Sequence, residues 1–474
     1  MKLIFISIVF IIQIYAFAQK AKEVELVLLY VNDMHGKIDQ FPFLLTLVKD
    51  IKQKNKNVLF LSAGDIFSGN PIVDRHPKPG FPMIDLMNML PLNYSTLGNH
   101  EFDFGGKVLT ERIKELNHKV LVANIVKQPD YFPKLKPYDV IDIEGVKIAI
   151  IGLTQVSANG YPDTHPDRVK EFAFEQGITT ALKWLPKLKK YPVKIVLSHM
   201  GYEQDSLLAT KASYITAIVG GHSHKKIQPM KKINNVAIVQ AENYLKYLGV
   251  MKVKVNNNKI ITIWDTLLPI TKNINPDSVI LNKVNFYNNN EEFLKVIGYA
   301  SDSVIGIQAL GCMMTDAYRK ILKTDFALQN SGGIRISMIP QGNITIKQIY
   351  ELDPFDNELL VCKMKPENLR QIINFGYEKE GKLDIFSSGF TSKVWLNENK
   401  KIFRIELYDL SGNLLDETKT YQVAIGSYLY NAYKFDRLGE AAKSGITTTE
   451  AILKFLSQIK GLSYKNCYSS FIVQ

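Results

Sequence analysis

Three cysteines in 474 residues are too few for a disulfide framework. Their positions, Cys312, Cys362 and Cys467, show no metal-ligand spacing. Buried or free thiols are expected, with stability coming from hydrophobic cores. Beyond the first 18 residues, no segment reaches the ~18 consecutive apolar residues that a membrane-spanning helix needs. Internal repeats and long low-complexity tracts are also missing. The lysine runs KQKNK, KLKK and KKI carry no interleaved aromatics, so they read as solvated surface and not as a nucleic-acid groove. Histidine is scarce as well, at eight residues.

What is present fits a globular protein. Hydrophobic residues make up 46% and charged residues 22%, and the length calls for two domains. A net charge of +12 suits anionic substrates or an anionic surface. Residues 1–18 stand apart: Lys2 gives a positive start, residues 3–15 are almost entirely apolar, and Ala16-Phe17-Ala18 puts small residues where a signal peptidase reads. This pattern predicts a secretory signal peptide cleaved after Ala18, and a periplasmic, cell-surface or secreted protein. No cysteine follows that could carry a lipid.

From residue 25 to 270, short apolar runs alternate with helical patterns. Residues 27–31, 58–61, 147–152, 194–197 and 217–219 read as buried strands, and 43–54 and 106–116 as helices. Such alternation predicts an α/β domain with a largely parallel sheet. Residues 271–300 are polar and Asn-rich, as expected of a linker ending in a helix. A second domain over 301–474 has a helix near 313–322, a Gly-rich turn at 331–333, and strands at 359–364 and 402–407.

The chemistry lies at the ends of the strands. LVLLYV runs into Asn32-Asp33-Met34-His35-Gly36, and VLFLSA into Gly64-Asp65. The run 94–97 leads to Gly98-Asn99-His100-Glu101, IVLS ends at His199, and AIVGG ends at His222-Ser223-His224. Sites in parallel α/β sheets form at the carboxyl ends of strands, so these five loops should converge. Asp33, His35, Asp65, Asn99, His199, His222 and His224 offer seven ligands, more than one metal ordinarily takes. Two divalent ions sharing a carboxylate would use them, holding a phosphate ester for in-line attack by water. Imidazole with carboxylate suits Zn, Mn or Fe. Five of the eight histidines sit in these loops, while His76, His118 and His165 carry no assignment. Asp103, three residues after His100, can orient that imidazole and stabilise its charge.

These segments resemble the metallophosphoesterase domain of the exported 5'-nucleotidases and UDP-sugar hydrolases. The resemblance rests on NDMHG at 32–36, SAGDIFSGN at 62–70, GNHEFDFG at 98–105, SHMG at 198–201 and GGHSH at 220–224. It implies a four-layer αββα sandwich followed by a separate α+β substrate domain. It also implies that Asp33, His35 and His224 ligate one metal, that Asn99, His199 and His222 ligate the other, and that Asp65 bridges them. His100 and Asp103 would be the catalytic dyad. Some relatives have Gln where this chain has His224.

In the second half, Asn330-Ser331-Gly332-Gly333-Ile334-Arg335 is similar to the family's NGGGIR loop. Asn330, Gly332, Gly333 and Arg335 would then hold the substrate, the glycines by close backbone approach and Arg335 by its forked guanidinium. Phe355 and Tyr428 fall where the family stacks aromatic rings on a base. Two positions depart from the family. Lys434, in NAYKFD at 431–436, replaces a ribose-binding Asp, and Gly306-Ile307-Gln308 lacks an expected Arg. The implied activity is removal of phosphate from a small ester, a nucleotide first. Hydrolysis of nucleoside 2',3'-cyclic phosphates, of UDP-sugars or of another phosphoester, and a non-catalytic surface binding protein, are the alternatives.

Overall fold

The computed structural model describes residues 23–355, 357–464 and 469–473. The expected signal peptide, residues 1–18, and Cys467 lie outside the described residues.

The strand Glu23–Val31 shows how the sequence builds the first domain. Its alternation divides it between two cores. Leu26, Leu28 and Tyr30 face one apolar layer, and Val27, Leu29 and Val31 face another. Each fully buried side chain of this size stabilises the fold by ~1.5–3 kcal/mol. The strand lies inside a six-stranded sheet ordered Lys259–Pro269, Tyr247–Asn256, Glu23–Val31, Val58–Ser62, Tyr94–Ser95 and Lys119–Val120. A second six-stranded sheet runs Lys231–Ile233, Val236–Val239, Ala217–Gly220, Val193–Ser198, Val146–Leu153 and Tyr138–Ile143.

Residues of both sheets, among them Leu28, Leu61, Ile195 and Val219, meet in one buried cluster between them. Helices Phe41–Lys54, Phe81–Met87, Gly105–Glu115 and Ser278–Asn288 cover the outer face of the first sheet. Gly177–Leu188 and Tyr202–Lys211 cover the outer face of the second. The result is the four-layer αββα sandwich. In Phe41–Lys54, the buried Phe41, Leu44, Leu45 and Val48 fall at helical spacing on one face.

The central strands are parallel, with Val31 opposite Ser62 and Ser62 opposite Ser95 in one sheet, and Leu153 opposite Ser198 and Ser198 opposite Gly220 in the other. Their carboxyl ends are therefore level, and each loop beyond them opens on the same edge.

Within residues 271–300, the helix Ser278–Asn288 packs on the first domain, whereas Val296–Ala300 pairs with Gly342–Thr345. The second domain is built on a five-stranded sheet: Ile385–Ser388, Phe326–Asn330, Tyr421–Gly426, Glu358–Met364 and Ala442–Thr447. Helix Gly306–Leu322 packs on one face and Pro366–Glu380 on the other. Cys362 is a free buried thiol whose pKa burial pushes up to about 12. The expectation of buried or free thiols thus holds at Cys362 and is corrected at Cys312, which is disulfide-bonded. Pairing of distant cysteines is set by the fold, which brings their Cα atoms close, and leaves no mark in their spacing. Among the described residues no helix is long and apolar enough to cross a membrane.

Candidate active site

The five strand-end loops meet, and the backbone there is unusual. Asp33, His35, Asp65, His222 and His224 have φ of 49°, 46°, 55°, 70° and 52°. This is the left-handed region, which residues with a Cβ enter at a cost, and such strain persists only where the surroundings enforce it. Here the loops hold one another. Asp33 N donates to Gly64 O at 3.0 Å, and His35 N donates to Asp65 O at 3.1 Å. His222 N donates to both oxygens of the Asp33 carboxylate, at 3.1 and 3.0 Å.

Three groups of ligand atoms each lie within 4.8 Å of one another: Asp33–His35–His224, His35–Asp65–His100 and Asp65–His199–His222. Asp65 belongs to two of them. Its Oδ2 is 3.0 Å from His199 Nε2 and 3.8 Å from His35 Nε2. Asp33 Oδ1 is 3.3 Å from His224 Nε2. Asn99 Oδ1 joins the set at 3.0 Å from His222 Nδ1. All seven sequence-derived ligand candidates thus gather in one place.

The electrostatics fit a cation site. Burial alone would raise the pKa of Asp33 and Asp65, but the imidazoles around them hold both carboxylates below their usual range. His199 is buried, which opposes its charge, yet Asp65 and Asp33 push it up to about 10. Burial and the neighbouring His199 bring His222 down to about 4. Two ionised carboxylates away from water call for positive charge, and divalent metal ions would supply it. The buried Nε2 of His199 faces the Asp65 carboxylate at 3.0 Å, so both groups are turned toward one point where an ion could sit between them. His199 Nδ1 is 2.7 Å from Ala63 O, and His35 Nδ1 is 3.2 Å from Ser68 O. A carbonyl at Nδ1 fixes the proton there and leaves Nε2 as a lone pair for a metal. The residues present therefore fit metal ions.

His100 Nδ1 lies 2.7 Å from Asp103 Oδ2. Burial opposes the imidazolium, but Asp103 and Asp65 raise its pKa above the ordinary value. Helix Gly105–Glu115 takes no side-chain cap, so Asp103 serves His100 and not the helix end. Sequence reasoning missed three supports. Ser68 Oγ and Thr164 Oγ1 donate to Asp103 at 2.6 and 2.7 Å. Glu101 is 1% exposed and accepts from the backbone N–H of Asp65 at 3.0 Å, of Ile66 at 2.6 Å, and of Gly98. Of these, Glu101 and Ser68 had a signal, their places within GNHE and SAGDIFSGN, whereas Thr164 had none.

The second domain closes over this edge, leaving a cavity of about 820 Å³ between the two. Asn330, Gly332, Gly333, Arg335, Phe355 and Tyr428 all line it. Arg335 Nη2 reaches 3.1 Å from both ring nitrogens of His35. Phe355 stacks on His100, with centroids 5.5 Å apart and planes at 23°. Tyr428 stands instead with Lys379, whose Nζ is 3.4 Å from its hydroxyl and also 3.4 Å from Asp163 across the domain boundary. His165, which carried no assignment, also lines the cavity. Lys434 lies over the Phe375 ring, away from the lining set.

Residues 26–226 match the calcineurin-like phosphoesterase family. With the buried Asp/His cluster, this defines the class: a metal-dependent phosphoesterase fold. Residues 295–436 match the 5'-nucleotidase C-terminal domain, and the chain belongs to the 5'-nucleotidase family of metallophosphoesterases. Endonuclease YhcR of Bacillus subtilis is 29% identical, over 94% of this chain and 40% of that protein. This chain thus spans less than half of that relative. Protein UshA of Yersinia enterocolitica is 26% identical, over 93% of this chain and 92% of that protein. The crystal structure of a 5'-nucleotidase precursor from Thermus thermophilus superimposes with a TM-score of 0.85 at 25% identity, covering 95% of this chain and all of that one.

Proposed function

We propose that this chain is an exported phosphohydrolase that uses two divalent metal ions to release phosphate from a small organic ester, first of all a nucleotide. The observation that carries the reading is the convergence of seven side chains from five loops of two sheets onto a cavity whose other wall is the second domain. Asp33, His35 and His224 would hold one ion and Asn99, His199 and His222 the other, with Asp65 shared. Zn, Mn or Fe at these positions would polarise the phosphoryl oxygens and make water a nucleophile near neutral pH.

The chain's own groups do the rest. Asp103 accepts a hydrogen bond from His100 Nδ1, which leaves Nε2 as the donor to a phosphoryl or leaving oxygen. Arg335 adds a positive charge beside His35, where the phosphate would dock. Phe355 and Tyr428, on separate parts of the cavity wall, would hold the organic portion. The Cys312 disulfide supports export, since disulfides persist in oxidising compartments.

Replacing Asp65 or His222 by Ala should abolish turnover and strip metal. Full activity in either variant would overturn the site. A second reading, hydrolysis of nucleoside 2',3'-cyclic phosphates, draws on Lys434, which stands in place of the family's ribose-binding carboxylate and lies outside the cavity lining, since a cyclic phosphate has no free 2',3'-diol to bind. A panel of phosphate esters assayed with added Mn or Zn separates the two readings.

A further inference from the structure

Residues 240–245 join the strands Val236–Val239 and Tyr247–Asn256 and wrap the turn that carries His222 and His224. Gln240 is 1% exposed and commits its amide to that turn. Its Nε2 donates to Gly221 O at 2.7 Å, and its Oε1 accepts from Ser223 Oγ at 3.0 Å and Lys225 N at 2.5 Å. Glu242, Tyr244 and Leu245 adopt φ of 63°, 58° and 53°. Three left-handed residues with side chains in so short a stretch are strained, and strain of this kind needs enforcement from its surroundings. Leu245 is anchored in the helix-side core, and Tyr244 N donates to Asp33 O at 2.7 Å. The outcome is to aim two side chains at His224. The Tyr244 ring lies 5.5 Å from that of His35 and 6.0 Å from that of His224. The amide of Asn243, a residue only 9% exposed, lies 2.9 Å from His224 Nδ1.

That amide decides what the far side of the ring can do. An imidazole accepting at Nδ1 carries its proton on Nε2 and cannot ligate there. One that donates from Nδ1 keeps the Nε2 lone pair. His224 Nε2 is the atom that faces Asp33 Oδ1 at 3.3 Å and His35 Nε2 at 3.1 Å. Asn243 Oδ1 is buried without a partner, and a half-turn of the amide brings that oxygen onto Nδ1 and satisfies it. His35 and His199 have backbone carbonyls in this role, from Ser68 and Ala63. At His224 a side chain takes it.

We propose that Asn243 is a positioning residue that keeps the His224 proton on Nδ1 and so makes His224 a competent metal ligand. The proposal rests on the two-metal reading above. It carries a sharp dependence. A Gln ligand, as some relatives have at this position, coordinates through its oxygen and has no tautomer to fix. Asn243 therefore matters only while residue 224 is His.

The test uses the full chain, stripped of metal and titrated with Zn²⁺. Elemental analysis gives the stoichiometry, and competition with a chromophoric chelator gives the affinities. Asn243→Leu, close in size but unable to accept, should weaken one of the two sites by about 10–100-fold and leave the other unchanged. Asn243→Asp keeps an oxygen acceptor and should bind like the wild type. In a His224→Gln background, adding Asn243→Leu should change nothing. Asn243→Ala repeats the comparison if the leucine variant fails to fold. Wild-type affinity in Asn243→Leu would overturn the proposal. So would an equal loss in the His224→Gln background, which would mark a general loop defect. A wild type that binds fewer than two ions would overturn the two-metal reading and the proposal with it. Two ions in the wild type with no effect of Asn243→Leu sinks the proposal alone.

Discussion

Glu101 is the residue whose loss should be felt most widely, although no role in ligation or proton transfer is assigned to it. Its carboxylate accepts three backbone N–H groups, from Asp65, Ile66 and Gly98, all of them buried. Those bonds tie the loop after Val58–Ser62 to the loop that carries Asn99 and His100. In Glu101→Ala, three donors lose their acceptor inside the protein. A buried unsatisfied group costs ~1–3 kcal/mol. If entering water recovers part of this, the total is still about 3–6 kcal/mol, a large share of a typical stability of ~5–15 kcal/mol. For a domain of this size, ~1 kcal/mol shifts the melting temperature by roughly 2–4 °C, so a drop of roughly 6–24 °C is expected. Glu101→Gln should fall between the two, because one amide oxygen cannot serve three donors and the new NH₂ opposes at least one of them. Melting of metal-free protein, followed by Zn²⁺ affinity, measures both consequences. A Glu101→Ala protein that melts within about 2 °C of wild type and binds metal normally would refute the claim that this carboxylate organises the loops.

Other perturbations test separate parts of the site. A Cβ on Gly98 would stand 2.1 Å from Asp65 Oδ1 and 2.8 Å from Asp65 N, so Gly98→Ala must displace the shared carboxylate. Metal content and turnover should both collapse, and a Gly98→Ala enzyme that retains two ions would contradict this geometry. His100→Asn should lower kcat by about 10²–10⁴-fold with metal content intact, and loss of metal instead would make His100 a ligand. Removing Asp103 should weaken the same step, because the Asp103 carboxylate raises the His100 pKa. His118 is not among the residues that line the cavity and reports on stability alone. Burial brings its pKa down from 6.5 to about 4, so the unfolded chain binds the proton more tightly between those values. Its contribution is intact above about pH 6.5 and is lost as pH falls toward about 4. The loss is at most about 3 kcal/mol, and less because the ring is only partly buried. His118→Gln should flatten that part of the denaturation profile, and an unchanged slope would remove His118 from the account.

Much of this site can be read from the chain, and the reason is periodicity. In Glu23–Val31 a two-residue period marks a strand buried on both faces, and the first polar residues after it, Asn32 and Asp33, fall where a parallel sheet presents its edge. The same reasoning reaches Asp65, His199 and His222, because each ends an apolar run. Residues whose role comes from a contact distant in sequence are not legible this way. Thr164 serves Asp103 from 61 positions away, and Arg335 meets His35 from 300 positions away. Such contacts depend on how loops and domains pack, which no local pattern records. The disulfide at Cys312 is hidden for the same reason.

The left-handed backbone is hidden differently. Asp33, His35, Asp65, His222 and His224 are not glycines, and only one of them, Asp65, directly follows one that is itself at positive φ. At ~1–3 kcal/mol each, five such residues store roughly 5–15 kcal/mol, which rivals the stability of a whole domain. No loop could hold that alone. The strands behind these loops can, because each is locked between two packed cores and has no freedom to relax. The apolar runs and the ligand residues are thus two halves of one device. The runs supply rigidity in excess of what folding needs, and the loops use it to hold carboxylates and imidazoles closer together than repulsion and backbone preference would otherwise allow. A core substitution such as Leu29→Ala, which touches no proposed ligand, should therefore weaken metal binding as well as stability, in proportion to the slack it gives the loop at 32–36.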